Sequence, residues 1–122
     1  MDESRTAALG RYGEQLAADH LVGQGLTVLA RNWRCPQGEL DLVLRDADGT
    51  VVFCEVKTRS GTGFGLPSEA VGSRKARKLR ELACLWLAEH RPPGGGDLRF
   101  DVVSVVRRRG SAPQLSHVRG AL

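Results

Sequence analysis

The feature that most constrains the fold is a pair of apolar segments joined by a short turn. The segments are residues 38–44 (GELDLVL) and 51–57 (VVFCEVK), and Asp46-Ala47-Asp48-Gly49-Thr50 lies between them. Glycine at the fourth place of this turn suits a three-residue loop, a type I turn closed by a left-handed residue. The sequence therefore predicts an antiparallel hairpin in which Asp46 faces Thr50.

This register brings the charged residues of the two strands together. The direct pairs that it creates are Asp41–Glu55, Glu39–Lys57 and Val43–Phe53. Side chains alternate between the two faces of a strand. The other face is entirely apolar, and we expect it to face the core: it holds Leu40, Leu42, Leu44, Val52, Cys54 and Val56.

Two carboxylates placed opposite each other indicate a cation site. Asp41 and Glu55 would lie about 5 Å apart at Cβ, and at that distance they repel each other unless a positive charge binds. Hard oxygen ligands of this kind suit Mg²⁺ or Mn²⁺. Lys57 could orient an attacking water and stabilise developing negative charge. The pattern therefore predicts a metal site for phosphodiester hydrolysis.

A simpler interpretation of the same residues is structural. Glu39 and Lys57 could form an ordinary cross-strand ion pair, worth less than about 1 kcal/mol. That interpretation leaves Asp41 and Glu55 facing each other without a reason, so we favour the metal site.

The first helix is predicted over about residues 4–23 from an apolar stripe with three- and four-residue spacing. Gly10 and Gly13 would each weaken this helix by roughly 1 kcal/mol relative to alanine, which suggests that another backbone packs close on that side. Glu14 lies on the flank of the stripe, so its carboxylate could reach over a sheet; the alternative is a solvated surface glutamate.

The remaining elements follow from turn residues and apolar runs. We predict a strand over 26–34, a turn at 35–38, a glycine-rich loop over 58–68, a helix over 73–90, a linker over 91–96 and strands over 98–106 and 114–118. The order is α-β-β-β-α-β-β. This predicts one α/β domain over residues 1–122, with a two-layer core and a mixed central sheet flanked by helices.

The net charge of +4 favours an anionic partner, nucleic acid first, although many basic proteins bind no polyanion. Cations in the first turns of a helix oppose its dipole. A phosphate partner would explain those in the second helix, and a contribution to solubility is the alternative; we favour phosphate. The residues expected to contact phosphates are Arg31, Arg59, Lys75, Arg77 and Lys78.

The cysteines Cys35, Cys54 and Cys84 form no C-x-x-C pair, and two of them lie in apolar segments. We expect buried, reduced thiols in a cytoplasmic protein. The histidines show no ligand spacing relative to the cysteines, which argues against zinc. Neither a signal peptide nor a membrane span is predicted.

The motifs also resemble a known family. Asp41 followed by Glu55-Val56-Lys57 is similar to the P-D…(D/E)-x-K signature of restriction-endonuclease-like nucleases, although the proline is absent. The wider set resembles the YraN-like bacterial proteins, which are grouped with Holliday-junction-resolvase-like nucleases. The matching segments are residues 10–14 (GRYGE), 31–34 (RNWR), 38–42 (GELDL), 53–59 (FCEVKTR), Lys75 and 99–101 (RFD).

The resemblance covers nearly the whole chain and implies a restriction-endonuclease-like fold. It implies that Glu14 is the helix-borne acidic residue of the site, that Asp41 and Glu55 are metal ligands and that Lys57 is the catalytic lysine. Glu39, Lys75 and Asp101 match the family pattern without an implied role, and we place Glu39 and Asp101 as supporting residues.

Three hypotheses follow from the sequence. The first is a metal-dependent endonuclease acting on DNA, including branched or recombining DNA, in which case a homodimer is expected because two strands must be cut. The second is a nucleic-acid-binding module on a nuclease fold with little or no cleavage. The third is a protein-interaction role, which rests on the small size and modest charge alone.

Overall fold

In the computed structural model, residues 2–60, 72–90 and 96–121 are described, with side chains from residue 7 onward. These residues form the two predicted helices and five predicted strands. Their bounds are α1 Asp2–Gly23, β1 Thr27–Cys35, β2 Gly38–Arg45, β3 Val51–Ser60, α2 Ser73–His90, β4 Leu98–Arg107 and β5 Gln114–Val118. The predicted α-β-β-β-α-β-β order is confirmed.

The five strands form one mixed sheet in the order β1-β2-β3-β4-β5. Neighbouring strands are antiparallel except β3 and β4, which are parallel. A parallel pair needs a crossover connection, and α2 lies in this connection. As a result, the beginning of α2 follows the carboxyl end of β3 in the chain.

The hairpin register is confirmed next to its turn. Val43 pairs with Phe53, and Leu44 pairs with Val52. The amide of Asp46 donates to the carbonyl of Thr50 over 2.8 Å, and the amide of Gly49 donates to the carbonyl of Asp46 over 2.9 Å. Gly49 has a φ of 93°, the left-handed conformation that glycine adopts without a steric penalty.

The register does not continue to the charged residues. The paired residues of β2 and β3 run from Arg45–Val51 to Leu42–Cys54, so the predicted direct pairs Asp41–Glu55 and Glu39–Lys57 are corrected. Leu40 packs in a different core cluster from Leu42. Residues two apart in a regular strand share a face. Leu40 and Leu42 lie on opposite faces, so the backbone of β2 is irregular at Asp41.

Both faces of the sheet are buried, which corrects the prediction of a two-layer core with one apolar face. One cluster lies under α1, where Ala17 and Leu21 pack with Leu42 and Val103. The other lies under α2, where Trp86 packs with Val43, Phe53 and Leu40. On the face predicted to carry the charged residues, Val43 and Phe53 near the turn are therefore buried, and Asp41 and Glu55 farther from the turn are partly exposed.

Some predictions fall at or beyond the described residues. Residues 58–60 of the predicted loop belong to β3, which continues to Ser60. Residues 61–71 lie outside the described ranges, as do 91–95 of the predicted linker. Cys54 is buried as expected, whereas Cys84 is exposed and Cys35 is intermediate, and all three are free thiols. Neither described helix is long and apolar enough to cross a membrane.

The fully buried carboxylate of Asp101 fastens the C-terminal segment to the sheet. Arg99 donates two hydrogen bonds to it, at 2.9 and 3.1 Å. His117 Nε2 lies 2.8 Å from its Oδ2, and the amide of Gly120 donates to its Oδ1 over 3.0 Å. Arg99 also bonds Asp46 in the hairpin turn. Strand β5, the turn and β4 are thereby joined by one charged group.

We predict that Asp101→Asn lowers the free energy of unfolding by about 3 kcal/mol, because it leaves the partly buried guanidinium of Arg99 without its counter-charge. Burial alone would raise the pKa of Asp101, but the hydrogen bonds from Arg99, His117 and Gly120 outweigh it and hold the pKa below its ordinary value. Its stabilisation is therefore present above pH 4 and lost at more acidic pH. Urea unfolding between pH 3 and 7 measures both effects.

The exposed Asp19 on α1 gives the matched control, since Asp19→Asn should change stability by less than about 0.5 kcal/mol. Equal stability of Asp101→Asn and Asp19→Asn would contradict the role of Asp101.

Candidate active site

Asp41 lies where β2 and β3 part. Its Oδ2 accepts a hydrogen bond from the amide of Val56 over 2.9 Å. The paired residues of β2 and β3 end at Leu42–Cys54, so beyond them this side chain takes the place of a backbone acceptor. On its other side, Asn32 of β1 lies between the Arg31–Leu42 and Trp33–Leu40 pairs and has a φ of 50°. Positive φ is uncommon for residues other than glycine. The chain is therefore irregular on both sides of Asp41.

The surroundings of Asp41 disfavour its negative charge. Burial, together with the nearby carboxylates of Glu55, Glu14 and Glu39, raises its pKa to about 6, although the hydrogen bond from Val56 acts in the opposite direction. The described residues thus leave a concentration of negative charge at Asp41 that a bound cation would relieve.

Glu55 is held by two lysines at a single oxygen. The Lys75 ammonium lies 2.6 Å from Oε1, and the Lys57 ammonium lies 3.3 Å from the same atom. The other oxygen, Oε2, is buried and lacks a hydrogen-bond partner among the described residues. The Glu55 side chain is 12% exposed. A buried carboxylate oxygen without a partner is costly, and a metal ion would supply the missing contact.

Asp41 and Glu55 line the same small cavity, of about 100 Å³, together with Glu39. Its apolar walls come from Leu40 and Phe53 of the sheet and Leu79 of α2. Such walls lower the local dielectric constant and strengthen electrostatic interactions inside the cavity. The structure therefore brings together two of the predicted metal ligands and Lys57, although not through the predicted ladder pairing.

Glu14 reaches the site because α1 packs closely on β3. A Cβ built on Gly13 would fall inside the side chain of Thr58, 2.7 Å from its Cβ. The close packing is thus confirmed at Gly13, but the neighbour is a side chain and not the backbone that was predicted. At Gly10 an added Cβ meets nothing within 4 Å. The close approach at Gly13 places the next residue, Glu14, within electrostatic reach of Asp41.

The two predicted supporting residues have different positions. Glu39 lines the cavity, but its Oε2 accepts a hydrogen bond from Arg34 Nε over 2.9 Å across β1 and β2. Lys57, its predicted partner, contacts Glu55 instead. Asp101 directs its carboxylate to Arg99, His117 and Gly120. The structure therefore places Asp101 in the network that holds the C-terminal segment, apart from the Asp41–Glu55 cavity.

Four of the five predicted phosphate contacts are exposed. Arg59 lies two residues beyond Lys57 at the end of β3, and Arg77 and Lys78 lie on α2. Arg31 of β1 donates to Gln15 of α1 over 3.1 Å. Lys75 differs, because its ammonium bonds Glu55 within the site.

Comparison with known proteins identifies the family of this chain. The model of the uncharacterised protein family UPF0102 matches residues 13–105. The chain belongs to the UPF0102 family. A UPF0102 protein of Acidothermus cellulolyticus is 52% identical over 127 residues, covering 97% of this chain and 96% of the relative. One of Frankia alni is 56% identical over 114 residues, covering 93% of each. The resemblance to the YraN-like family is thereby confirmed.

A solved structure also shows partial similarity to this UPF0102 chain. It is the structure of an EndoMS–dsDNA2 complex, with a TM-score of 0.39 and 22% sequence identity. The match covers 62% of this chain and 26% of the other. At this level of similarity the comparison supports no conclusion about activity.

The residues of this UPF0102 chain fit a divalent cation by their chemistry. Asp41 and Glu55 provide carboxylate oxygens at one cavity, one of which is buried without a partner. Within residues 2–60, 72–90 and 96–121, no three acidic, histidine or cysteine side chains are already gathered as a metal cluster. Lys57 and Lys75 both contact Oε1 of Glu55, so a cation that binds this carboxylate through that oxygen would have to move them.

Sequence reasoning missed the place of Lys75 in the site. It was predicted to contact phosphate because cations at the start of a helix are unfavourable. The crossover from β3 to β4 could have indicated this position, because α2 lies within it and its first turn can come beside β3. The strained Asn32 and the contact of Thr58 with Gly13 were missed as well, since both depend on irregular local geometry.

We predict that Asp41→Asn raises the free energy of unfolding at pH 7 without divalent metal. The folded protein holds the pKa of Asp41 at about 6, above the ordinary value for aspartate. The charged form therefore costs stability progressively between pH 4 and 6, by up to about 3 kcal/mol. Asparagine keeps an acceptor for the Val56 amide and removes this cost.

Urea unfolding in the presence of a chelator measures this change, with a gain of about 1–3 kcal/mol expected. Asp19→Asn on exposed α1 serves as the control for a general change in charge. A loss of stability in Asp41→Asn at pH 7 would show that the charge at Asp41 is compensated after all.

We also predict that Gly13→Ala destabilises the protein by about 1–3 kcal/mol through overpacking against Thr58. Gly10→Ala is the matched control on the same helix, and it should stabilise by up to about 1 kcal/mol. Adding Thr58→Gly to Gly13→Ala should recover stability through a favourable coupling energy. Thermal unfolding of Gly10→Ala, Gly13→Ala, Thr58→Gly and the double variant tests this, and equal effects at Gly10 and Gly13 would refute the close approach.

Proposed function

We propose that this protein is a metal-dependent endonuclease that hydrolyses phosphodiester bonds of DNA. The observation that carries the proposal is the carboxylate pair of Asp41 and Glu55. One member has a pKa raised by burial and by neighbouring carboxylates, and the other has a buried oxygen without a partner. In a purely structural arrangement, each of the two carboxylates would be expected to have its charge compensated by nearby partners. The carboxylate of Asp101 has such partners.

Asp41 and Glu55 would hold the cation, Mg²⁺ or Mn²⁺, with Glu14 close enough to contribute to its electrostatic environment. A bound Mg²⁺ supplies charge neutralisation for the scissile phosphate and acidity for a water nucleophile. The apolar side chains in the cavity wall lower the local dielectric constant, which increases the strength of these interactions.

Lys57 supports hydrolysis from β3, adjacent to Glu55. Burial and contact with Lys75 lower the pKa of Lys57, against the opposing effect of Glu55. Its ammonium lies 3.3 Å from Glu55 Oε1, so its position is set by a proposed metal ligand. From there it can orient a water molecule and stabilise negative charge that develops on a phosphate oxygen.

Exposed cations lie on the elements that carry the site. Arg59 extends from the end of β3, and Arg77 and Lys78 extend from α2. Contacts of this kind with phosphates provide affinity that does not depend on base sequence and that falls with salt. They suit a nuclease that recognises DNA backbone or shape.

Branched DNA, including recombination intermediates, is the finer proposal for the substrate, and it follows from the resemblance to junction-resolving nucleases. Cutting two strands of a junction needs two active sites, so a homodimer is expected for this activity. Sedimentation as a strict monomer, with and without junction DNA, would argue against junction resolution specifically.

A second function, a nucleic-acid-binding module with little or no cleavage, is favoured by one observation. Two lysines already neutralise Glu55 at Oε1, so the protein holds this carboxylate without a metal. If this state persists with DNA bound, the same cations would bind phosphates and no hydrolysis would follow.

We predict metal-dependent cleavage of at least one of four DNA substrates: a four-way junction, a flap, a single strand or a linear duplex. With Mg²⁺ or Mn²⁺, Asp41→Ala should reduce the rate on the order of a hundredfold or more, because it removes a metal ligand rather than a supporting group. Asp19→Ala, exposed on α1, should cleave like the natural protein. Gel electrophoresis of labelled DNA measures the rates.

The outcomes separate the two functions. The absence of metal-dependent cleavage on every substrate, or equal cleavage by Asp41→Ala, would contradict the nuclease. DNA binding that survives Asp41→Ala and falls steeply with salt, without cleavage, would support the binding module.

A further inference from the structure

Lys75 has an unusual position for a surface lysine at the start of a helix. It is the third residue of α2, and its ammonium forms the shortest ion pair described in the site, 2.6 Å from Glu55 Oε1. Burial alone would lower the pKa of Lys75, but the hydrogen bond to Glu55 outweighs it and raises the pKa. Lys75 is therefore a charged partner of a buried carboxylate.

The ammonium groups of Lys57 and Lys75 would repel each other if another cation neutralised the carboxylate of Glu55. Lys57 and Lys75 converge on one oxygen atom and also contact each other. Two ammonium groups in contact repel unless a negative charge lies between them. Any cation that takes over Glu55 would remove this compensation and repel both amines.

The opposite side of Glu55 is open to such a cation. Its Oε2 is buried without a described partner, whereas a carboxylate can accept about four hydrogen bonds or metal contacts. Asp41 lines the same cavity, and the hydrogen bond described for its carboxylate comes from the Val56 amide. The lysines therefore neutralise one side of the site and leave the side that includes Asp41 unsatisfied.

We propose, on the basis of the nuclease function above, that Lys75 is an internal counter-cation which a divalent metal ion displaces from Glu55, and that the released ammonium then binds the phosphodiester of the substrate. Lys75 can make this exchange without a change in the backbone, because its side chain is 35% exposed and joins α2 through a flexible stem. Lys57 belongs to β3 and stays beside Glu55.

This exchange would give the metal two opposite couplings. Metal and Lys75 compete for Glu55, so Lys75 weakens metal binding to the protein alone. Metal and DNA cooperate, because the displaced ammonium gains a phosphate contact when DNA is present. The site would thereby bind metal more tightly when substrate is present.

The first test is a Mn²⁺ titration by calorimetry, without DNA, of the natural protein and of Lys75→Met. Methionine keeps most of the apolar stem and removes the competing charge. We expect Mn²⁺ to bind Lys75→Met roughly threefold to tenfold more tightly. Arg80→Met, which removes one positive charge from an exposed position on α2, should remain within about twofold of the natural protein.

Unchanged or weaker Mn²⁺ binding by Lys75→Met would overturn the exchange while leaving the nuclease proposal intact, provided that the natural protein binds Mn²⁺. Absence of Mn²⁺ binding by the natural protein and both variants would overturn the metal site itself. In the presence of Ca²⁺, Lys75→Met should bind DNA about threefold more weakly. DNA affinity equal to that of the natural protein would contradict the second half of the exchange.

A measurement on the natural protein keeps the test valid if Lys75→Met does not fold. The amino group of Lys75, held at Glu55, should give a distinct ¹H–¹⁵N signal in NMR spectra. Saturating Mg²⁺ should shift this signal and speed its exchange with water. A signal that stays unchanged while Mg²⁺ binds would refute displacement of Lys75.

Discussion

The hydrogen bond from the amide of Val56 to the carboxylate of Asp41 determines how the rest of the site is arranged. It forms where the ladder between β2 and β3 ends, and it replaces a backbone acceptor with a side chain. Because β2 turns over at this point, Leu40 packs under α2 while Leu42 packs under α1. The two strands separate with their buried cores intact, and the gap between them holds Asp41 and Glu55.

The protein surrounds Asp101 and Asp41 with opposite environments. Asp101 receives hydrogen bonds from Arg99 and Gly120 and contacts His117, and its pKa is held low. Asp41 receives one from Val56, and burial raises its pKa to about 6. The first arrangement stabilises a fold by joining β4, β5 and the hairpin turn. The second leaves a charge that favours a cation, which is the property expected of a functional site.

Much of this could be predicted from the sequence because local signals agreed with one another. Glycine at position 49 set the turn, and the turn set the register from Arg45–Val51 to Leu42–Cys54. Periodicity located both helices. The prediction failed beyond Leu42 because alternation assumes a regular pleat, which the backbone irregularities at Asp41 and Asn32 interrupt. Asparagine adopts positive φ more readily than most residues, but its presence in a strand does not by itself predict that conformation. Burial of the second face was missed for a related reason: Val43 and Phe53 were grouped with the charged residues.

The site residues were predicted in type more accurately than in their contacts. Asp41, Glu55 and Lys57 do lie together, and Glu14 is near because Gly13 allows α1 to approach Thr58. Ion pairs were harder to predict, because long lysine and arginine side chains select partners in three dimensions. Lys75 therefore joined the site unexpectedly, Glu39 bonded Arg34, and Asp101 belonged to a separate network.

The most direct test of the cation site is a crystal structure grown with Mn²⁺ and measured at a wavelength where manganese scatters anomalously. The proposed site predicts one anomalous peak between the carboxylates of Asp41 and Glu55, at about 2.0–2.3 Å from their oxygens. Saturating Mn²⁺ with no peak at these residues, or with a peak held by other side chains, would contradict the proposal that the parted strands form a metal site.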